Sequence, residues 1–462
     1  MSPLSNLAVR DIETLVHPYT NLAALRDSGP LVLERGHGVF VYDSEGKAYI
    51  EGMAGLWCTA LGYGNEELVE AAAAQMRKLP FGHLFTAKSH DPAIELAERI
   101  KEIAPVPASK VFFCSSGSEA NDTQVKLVWY MNNALGRPRK KKIISRLKAY
   151  HGVTVAAASL TGLPNNHLDF DLPIAGILHA GCPHHYRFAH AGESEADFAR
   201  RLADELDELI RNEGPETVAA FIAEPVMGAG GVIVPPKDYF PAVMEVCRRY
   251  DVYMISDEVI CGFGRLGTMF GCTAFGFEPH SISVAKALTS AYVPMAALTV
   301  PEPMYQAMLD ESRKIGTFGH GFTYSGHPVA AAVALKTLEI YARERIAEQA
   351  ARKAPQFQGR LARLGEHPLV GEARGVGLVG AVELVADKST KASFDPKAGV
   401  GPRAVRCAEE EGLIVRFIAG DVLSICPPLI ITPEEIDQLF DRLGRAIDRT
   451  LDWAKRERLL PR

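Results

Sequence analysis

Three short apolar runs each stop on a chemically active side chain, and that arrangement restricts the fold more than any other feature. VAAFIAE ends on Glu224, VYMISD on Asp257 and SISVAK on Lys286. Runs this short, bounded by Gly, Pro and Asp, read as strands buried on both faces, the pattern of a parallel sheet with helices on either side. Such sheets bind ligands at the carboxyl ends of their strands, so the acids and the amine are expected to face one crevice. A lysine there can hold an aldehyde cofactor as a Schiff base. A carboxylate beside a pyridine nitrogen keeps that nitrogen protonated and makes the ring an electron sink. The plainer alternative is an ion pair tying two strands together.

A second motif competes with this reading. Gly262, Gly264 and Gly267 satisfy G-x-G-x-x-G directly after a strand, as in a Rossmann-type NAD(P) oxidoreductase. The adjoining TMFGCTAFGFEP is too broken by glycine for the helix that would receive a pyrophosphate. Glu278 also comes too early to meet a ribose, so the nucleotide reading is set aside.

The chain of 462 residues, 47% of them hydrophobic, has length for about two or three domains. A net charge of -6 with mixed signs argues against nucleic acid as a partner. No apolar run is long enough to span a membrane, and Arg10, Asp11 and Glu13 interrupt any signal-peptide core, so a cytoplasmic protein is expected. The eight cysteines show no paired spacing and read as reduced, buried hydrophobes.

Along the chain, VFVYDSEGKAYI turns at Asp43–Gly46 as a hairpin does, and GMAGLWCTALGYG sets Trp57 in a glycine-rich loop. KVFFC reads as a strand entering SSGSEAND, where small residues open a helix. Free N–H groups and the helix dipole favour a phosphate there. Beyond the strand KKIISR lies Tyr150-His151-Gly152, whose aromatic ring suits stacking on a planar cofactor. HAGCPHHYRFAH gathers histidines and Cys182, yet without the paired spacing of a zinc site, so no metal is expected. Past Lys286, GTFGHGFTYSGHP leads into a helix at Pro328, and GLIVR reads as a strand ending on Arg416.

Taken together, SDEVICGFGRLG, VAKALTSAYVPMAA, SGSEAND and YHG resemble the class III, PLP-dependent aminotransferases of fold type I, over nearly the whole chain. The resemblance implies an α/β fold with a mostly parallel central sheet in a large domain (62–327). A smaller α+β domain would be built from residues 328–462 and completed by the N-terminal arm and hairpin (1–61). It implies pyridoxal 5'-phosphate bound by Lys286 and Asp257, with Gly117 and Ser118 on the phosphate, Tyr150 and Val259 on the ring faces, and Glu224 close by. The loop carrying Phe322 and Thr323 would cross a dimer interface, with the Thr hydroxyl on the neighbour's phosphate, giving a homodimer or dimer of dimers with shared sites. Trp57, Phe85, Tyr150 and Arg416 match the substrate pocket of the amine:pyruvate branch, Arg416 being a carboxylate anchor that swings near Ile418-Ala419-Gly420. The implied activity moves an amino group from an ω-amino acid or primary amine to an oxo acid such as pyruvate. An aminomutase or decarboxylase of the same class is the alternative.

Overall fold

A computed structural model describes residues 4–418 and 420–461; Ala419, beside the expected Arg416 anchor, lies outside the described residues. The central sheet has seven strands, in the order Lys110–Cys114, Ala296–Val300, Ser281–Val284, Tyr253–Asp257, Val218–Ala223, Lys142–Arg146 and Ile177–Ala180. The last five run parallel, and only Ala296–Val300 is antiparallel to its neighbours. The three runs that end near Glu224, Asp257 and Lys286 are therefore adjacent strands with their carboxyl ends side by side.

Alternation along those strands explains the layers. Ile144, Phe221 and Met254 pack into the cluster that holds Phe198, Leu202, Leu206 and Ile210 of the helix Glu195–Glu213. Ile143, Ile222 and Ile255 point the other way, toward Ala120, Val125 and Val128 of the helix Gly117–Ala134. All six residues of Val218–Ala223 are buried, which is why that stretch shows no polar alternation. Full burial of one such aliphatic or aromatic side chain contributes about 1.5–3 kcal/mol.

Two smaller sheets complete the chain. Val370–Val376, Val379–Leu384, Val422–Ile425 and Arg416–Ile418 form one antiparallel sheet. The hairpin Phe40–Asp43 and Ala48–Glu51, flanked by a strand Leu33–His37 that the sequence did not announce, forms another with Leu413–Ile414. GLIVR is thus not one strand closing on Arg416. Leu413 pairs in parallel with Ile50, while Arg416 opens a separate strand opposite Ser424. A continuous apolar run carries no mark of where its pairing partner changes, so periodicity could not locate this break.

The G-x-G-x-x-G turn also has a structural explanation. Gly264 and Gly267 have φ of +99° and +89°, and a Cβ on Gly264 would come within 3.1 Å of the Ala347 Cα in the helix Ile346–Leu364. The glycines let that helix approach, and the next helix along the chain, Gly271–Ala274, has only four residues. No described helix is long and apolar enough to cross a membrane.

Candidate active site

A cavity of about 460 Å³ opens at the carboxyl ends of the central strands. Lys286 lines it two residues beyond Ser281–Val284, with a left-handed backbone at φ +51°. A non-glycine residue held in that region stores strain, which the surrounding fold must support. Among the described residues its ammonium has no hydrogen-bond or ion-pair partner, and burial pushes its pKa down, against the pull of Cys58, Asp257 and Glu224. A lysine lowered in this way is the more readily an uncharged nucleophile or base.

Asp257 ends its strand with the carboxylate fully engaged on the protein side. Oδ2 accepts from Asn121 Nδ2 at 2.7 Å and from His151 Nδ1 at 2.8 Å, and Oδ1 accepts from the Val259 amide at 3.1 Å. A carboxylate can only accept, so the His151 proton on this bond sits on Nδ1. Its Nε2 is buried without a partner, as is Asn121 Oδ1. Neighbouring Glu258 points away into the fold, accepting from the Gly271 and Cys272 amides at 2.8 and 2.7 Å. Of the two consecutive acids only Asp257 lines the cavity.

Glu224, at the adjacent strand end, accepts from the Tyr150 amide at 2.9 Å and the Gly228 amide at 3.1 Å. Burial raises its pKa, and Asp257 adds to that effect. Its role in this geometry is to hold the Tyr150 backbone, which carries the ring along the cavity wall.

At the anion end, the Ser116 hydroxyl accepts from the Glu119 amide at 3.2 Å and Glu119 accepts from the Ser115 amide at 2.7 Å. This reciprocal cap leaves the first turn at Gly117 and Ser118 pointing into the cavity. A Cβ on Gly117 would come within 3.1 Å of both Val259 methyls, so glycine lets this helix turn and Val259 share one wall. Ser118 Oγ in turn accepts from the Val153 amide at 3.1 Å.

The remaining walls are aromatic and cationic. Trp57, 2% exposed, lines the cavity from a short helical turn, Ala54–Trp57, with φ of +46° at Ala54 and +65° at Trp57. It therefore both packs and walls the pocket. Arg416 lies with its Cζ 5.8 Å from the ring centre of Tyr19, which meets Tyr150 edge-on at 6.3 Å. Burial lowers the Arg416 pKa, and among the described residues no carboxylate pairs with it.

Phe85, Phe322 and Thr323 do not line this cavity. Phe85 is 46% exposed and packs on Gly321, where a Cβ would stand 3.2 Å from its ring. It thus belongs with the Phe322–Thr323 loop at the surface. His151, Asn121, Tyr19 and Asn166 line the cavity and were missed as functional residues. Helical spacing could have found Asn121, one turn beyond Gly117 on the same face; nothing local marks Tyr19. In the histidine-rich segment, His184 Nε2 meets Glu372 at 2.7 Å, and Arg374 Nη1 donates to Glu372 at 2.5 Å and Glu383 at 2.7 Å. The three possible metal ligands His184, Glu372 and Glu383 do converge, but the Arg374 guanidinium already bridges the two carboxylates.

The residues present fit a phosphorylated pyridine aldehyde: an amine without a partner among the described residues, a buried carboxylate, a helix turn at Gly117 and Ser118 that faces the cavity, and Tyr150 and Val259 between them. The sequence profile of the family Aminotransferase class-III matches residues 23–447. Gamma aminobutyrate transaminase 3, chloroplastic, from Solanum lycopersicum is 49% identical over 437 residues, 94% of this chain and 84% of that protein. The crystal structure of the omega transaminase from Pseudomonas jessenii in complex with PMP superposes with a TM-score of 0.96 at 54% identity, covering 98% of this chain and 99% of that one. A thermostable four-fold mutant of the Pseudomonas jessenii omega transaminase gives 0.95 at 55% identity, over 97% and 99% of the two chains.

Proposed function

This chain belongs to the class III aminotransferases, and from that premise we propose how its own residues divide the work and which substrates it takes. It is a PLP-dependent aminotransferase of fold type I, transferring an amino group to an oxo acid. Bound pyridoxal phosphate supplies the carbonyl that takes up the amino group and a ring that spreads the electron pair left on the substrate carbon. Lys286 carries the proton between the substrate carbon and the cofactor C4′ carbon, acting first as base and then as acid. Asp257, oriented by Asn121 and His151, holds the proton on the pyridine nitrogen. Gly117 and Ser118 would hold the phosphate and Tyr150 and Val259 would flank the ring, with Glu224 fixing the Tyr150 backbone.

The amine donor is an ω-amino acid or a primary amine, and the acceptor is pyruvate or a similar oxo acid. The activities that the relatives are named for, aminobutyrate and omega transamination, lie in this range. The observation that carries the reading is Arg416, a partly buried guanidinium lining the cavity with no acid paired to it among the described residues. A substrate carboxylate can take both of its parallel hydrogen bonds, while a carboxylate-free amine requires the side chain to move aside. The enzyme works as a homodimer with shared sites, which the surface grouping of Phe85, Thr323 and exposed Tyr324 supports.

Stopped-flow measurement of the two half-reactions tests this. Arg416→Ala should weaken the pyruvate half-reaction by about 1.5–3 kcal/mol, the range of a hydrogen bond to a charged group. The half-reaction with a carboxylate-free amine should change little. Equal losses in both would mean that Arg416 supports the fold or the cofactor and does not select the acid.

A further inference from the structure

The loop between Gly316 and Ser325 has no helix or strand of its own, contains Gly316, Gly319 and Gly321, and exposes Thr323. Ordering such a segment is entropically costly unless something outside it fixes its backbone. His320 makes that connection. Its Nε2 lies 2.9 Å from Thr123 Oγ1 and its Nδ1 lies 2.9 Å from Lys126 Nζ, both on the helix Gly117–Ala134. The imidazole also stacks on Phe112 of the edge strand, with centroids 5.3 Å apart at 7°, and meets Phe322 edge-on at 5.3 Å.

The donors and acceptors determine the state of the ring. An ammonium can only donate, so Lys126 requires a bare lone pair on Nδ1, and the proton must sit on Nε2 and be donated to Thr123 Oγ1. The Thr123 hydroxyl is then free to donate to Cys114 Sγ at 3.8 Å. A single chain of donors runs from Lys126 through His320 to Thr123. Burial, with the Lys126 charge second, pushes the His320 pKa down to about 4, in keeping with a neutral ring.

We infer that His320 is a positioning residue for cofactor retention: its neutral imidazole pins the Phe322–Thr323 loop to the side of the helix whose first turn, Gly117–Ser118, faces the phosphate. This rests on the reading that Thr323 serves the partner's phosphate. One helix then presents its amino end to its own subunit's phosphate and its flank to the loop that serves the neighbour's. Retention of the two cofactors in a dimer is thereby coupled through Thr123, Lys126 and His320.

The test compares the dissociation constants of apo-enzyme for PLP and for pyridoxal, which lacks the phosphate, by absorbance titration. His320→Phe keeps the ring packing and loses both hydrogen bonds; His320→Gln keeps one donor and one acceptor. His320→Phe should weaken PLP about tenfold with pyridoxal unchanged, as loss of roughly one well-placed hydrogen bond would do. His320→Gln should recover most of that loss, and His320→Phe added to Thr323→Ala should weaken PLP no further than Thr323→Ala alone. Equal weakening of PLP and pyridoxal, or additive losses in the double variant, overturns the inference. A Thr323→Ala enzyme with normal PLP affinity overturns the shared-site reading and this inference with it. Loss in Thr323→Ala but none in His320→Phe overturns this inference alone.

Discussion

At the scale of single residues, position in the cavity separates groups that look alike in sequence. Asp257 and Glu258 are consecutive acids, yet the alternation of a strand end sends Asp257 to the cavity and Glu258 to the Gly271 and Cys272 amides. Lys286→Ala removes an amine that has no partner among the described residues and leaves the other cavity walls, including those proposed to hold the phosphate and ring, intact. It should keep PLP bound, as judged by absorbance after gel filtration, and lose transamination by several orders of magnitude. Turnover near that of the parent would remove Lys286 from the chemistry. Glu51 belongs to the same scale. It is 3% exposed, accepts from the Met53 amide at 2.9 Å, and burial pushes it up to about 7 from 4.5. The folded state therefore holds a proton that the unfolded chain releases, so the stability this provides is fully present below pH 4.5 and is lost as pH rises through 7. Glu51→Gln, a fixed mimic of the protonated acid, should lie within about 1 kcal/mol of the parent at pH 5 and exceed it by up to about 3 kcal/mol at pH 8. Urea midpoints of the two proteins at both pH values read this directly. An equal gap at both would place the cause elsewhere than in titration.

At the scale of elements, helix ends carry both function and stability, by the same unsatisfied amides. The helix Gly117–Ala134 turns its first amides to the cavity, whereas Pro433–Arg456 closes its own end with a capping box. There Thr432 Oγ1 accepts from the Glu435 amide at 3.2 Å, and Glu435 accepts from the Thr432 amide at 2.8 Å. Thr432→Ala should cost about 1 kcal/mol in denaturant unfolding and leave kcat and KM unchanged, since the cap lies in the chain's C-terminal helix and lines no part of the catalytic cavity. A change in KM for either substrate would show that this helix end bears on the site. Strand elements were legible for the same reason that caps were: Lys110–Cys114 and the helix start at Pro328 fall where their residues place them. Arg416 was misplaced because strand identity there depends on which sheet supplies the partner.

At the scale of the whole molecule, the cavity of one chain gathers nine of the expected site residues and leaves Phe85, Phe322 and Thr323 outside it. The proposed sharing of sites between subunits gives a direct expectation. Lys286→Ala chains mixed with chains carrying an inactivating Thr323 variant should regain activity in the heterodimer, in which one site is intact and the other doubly damaged. Verified heterodimers without recovery would mean that the loop serves its own subunit.

The sequence by itself determined the strand ends that carry Glu224, Asp257 and Lys286, because buried parallel strands must be short, apolar and interrupted where the chain meets the ligand crevice. It also determined the helix start that brings Gly117 and Ser118 to the cavity, because small residues before a helix leave amides that nothing in the helix can satisfy. Only the tertiary structure decided that His151 and Asn121 orient Asp257, that Tyr19 stands beside Arg416, and that GLIVR divides between two sheets. Each of these depends on contacts between segments distant in the chain. Such contacts are fixed by packing and hydrogen-bond satisfaction in three dimensions, and local periodicity and turn chemistry hold no record of them.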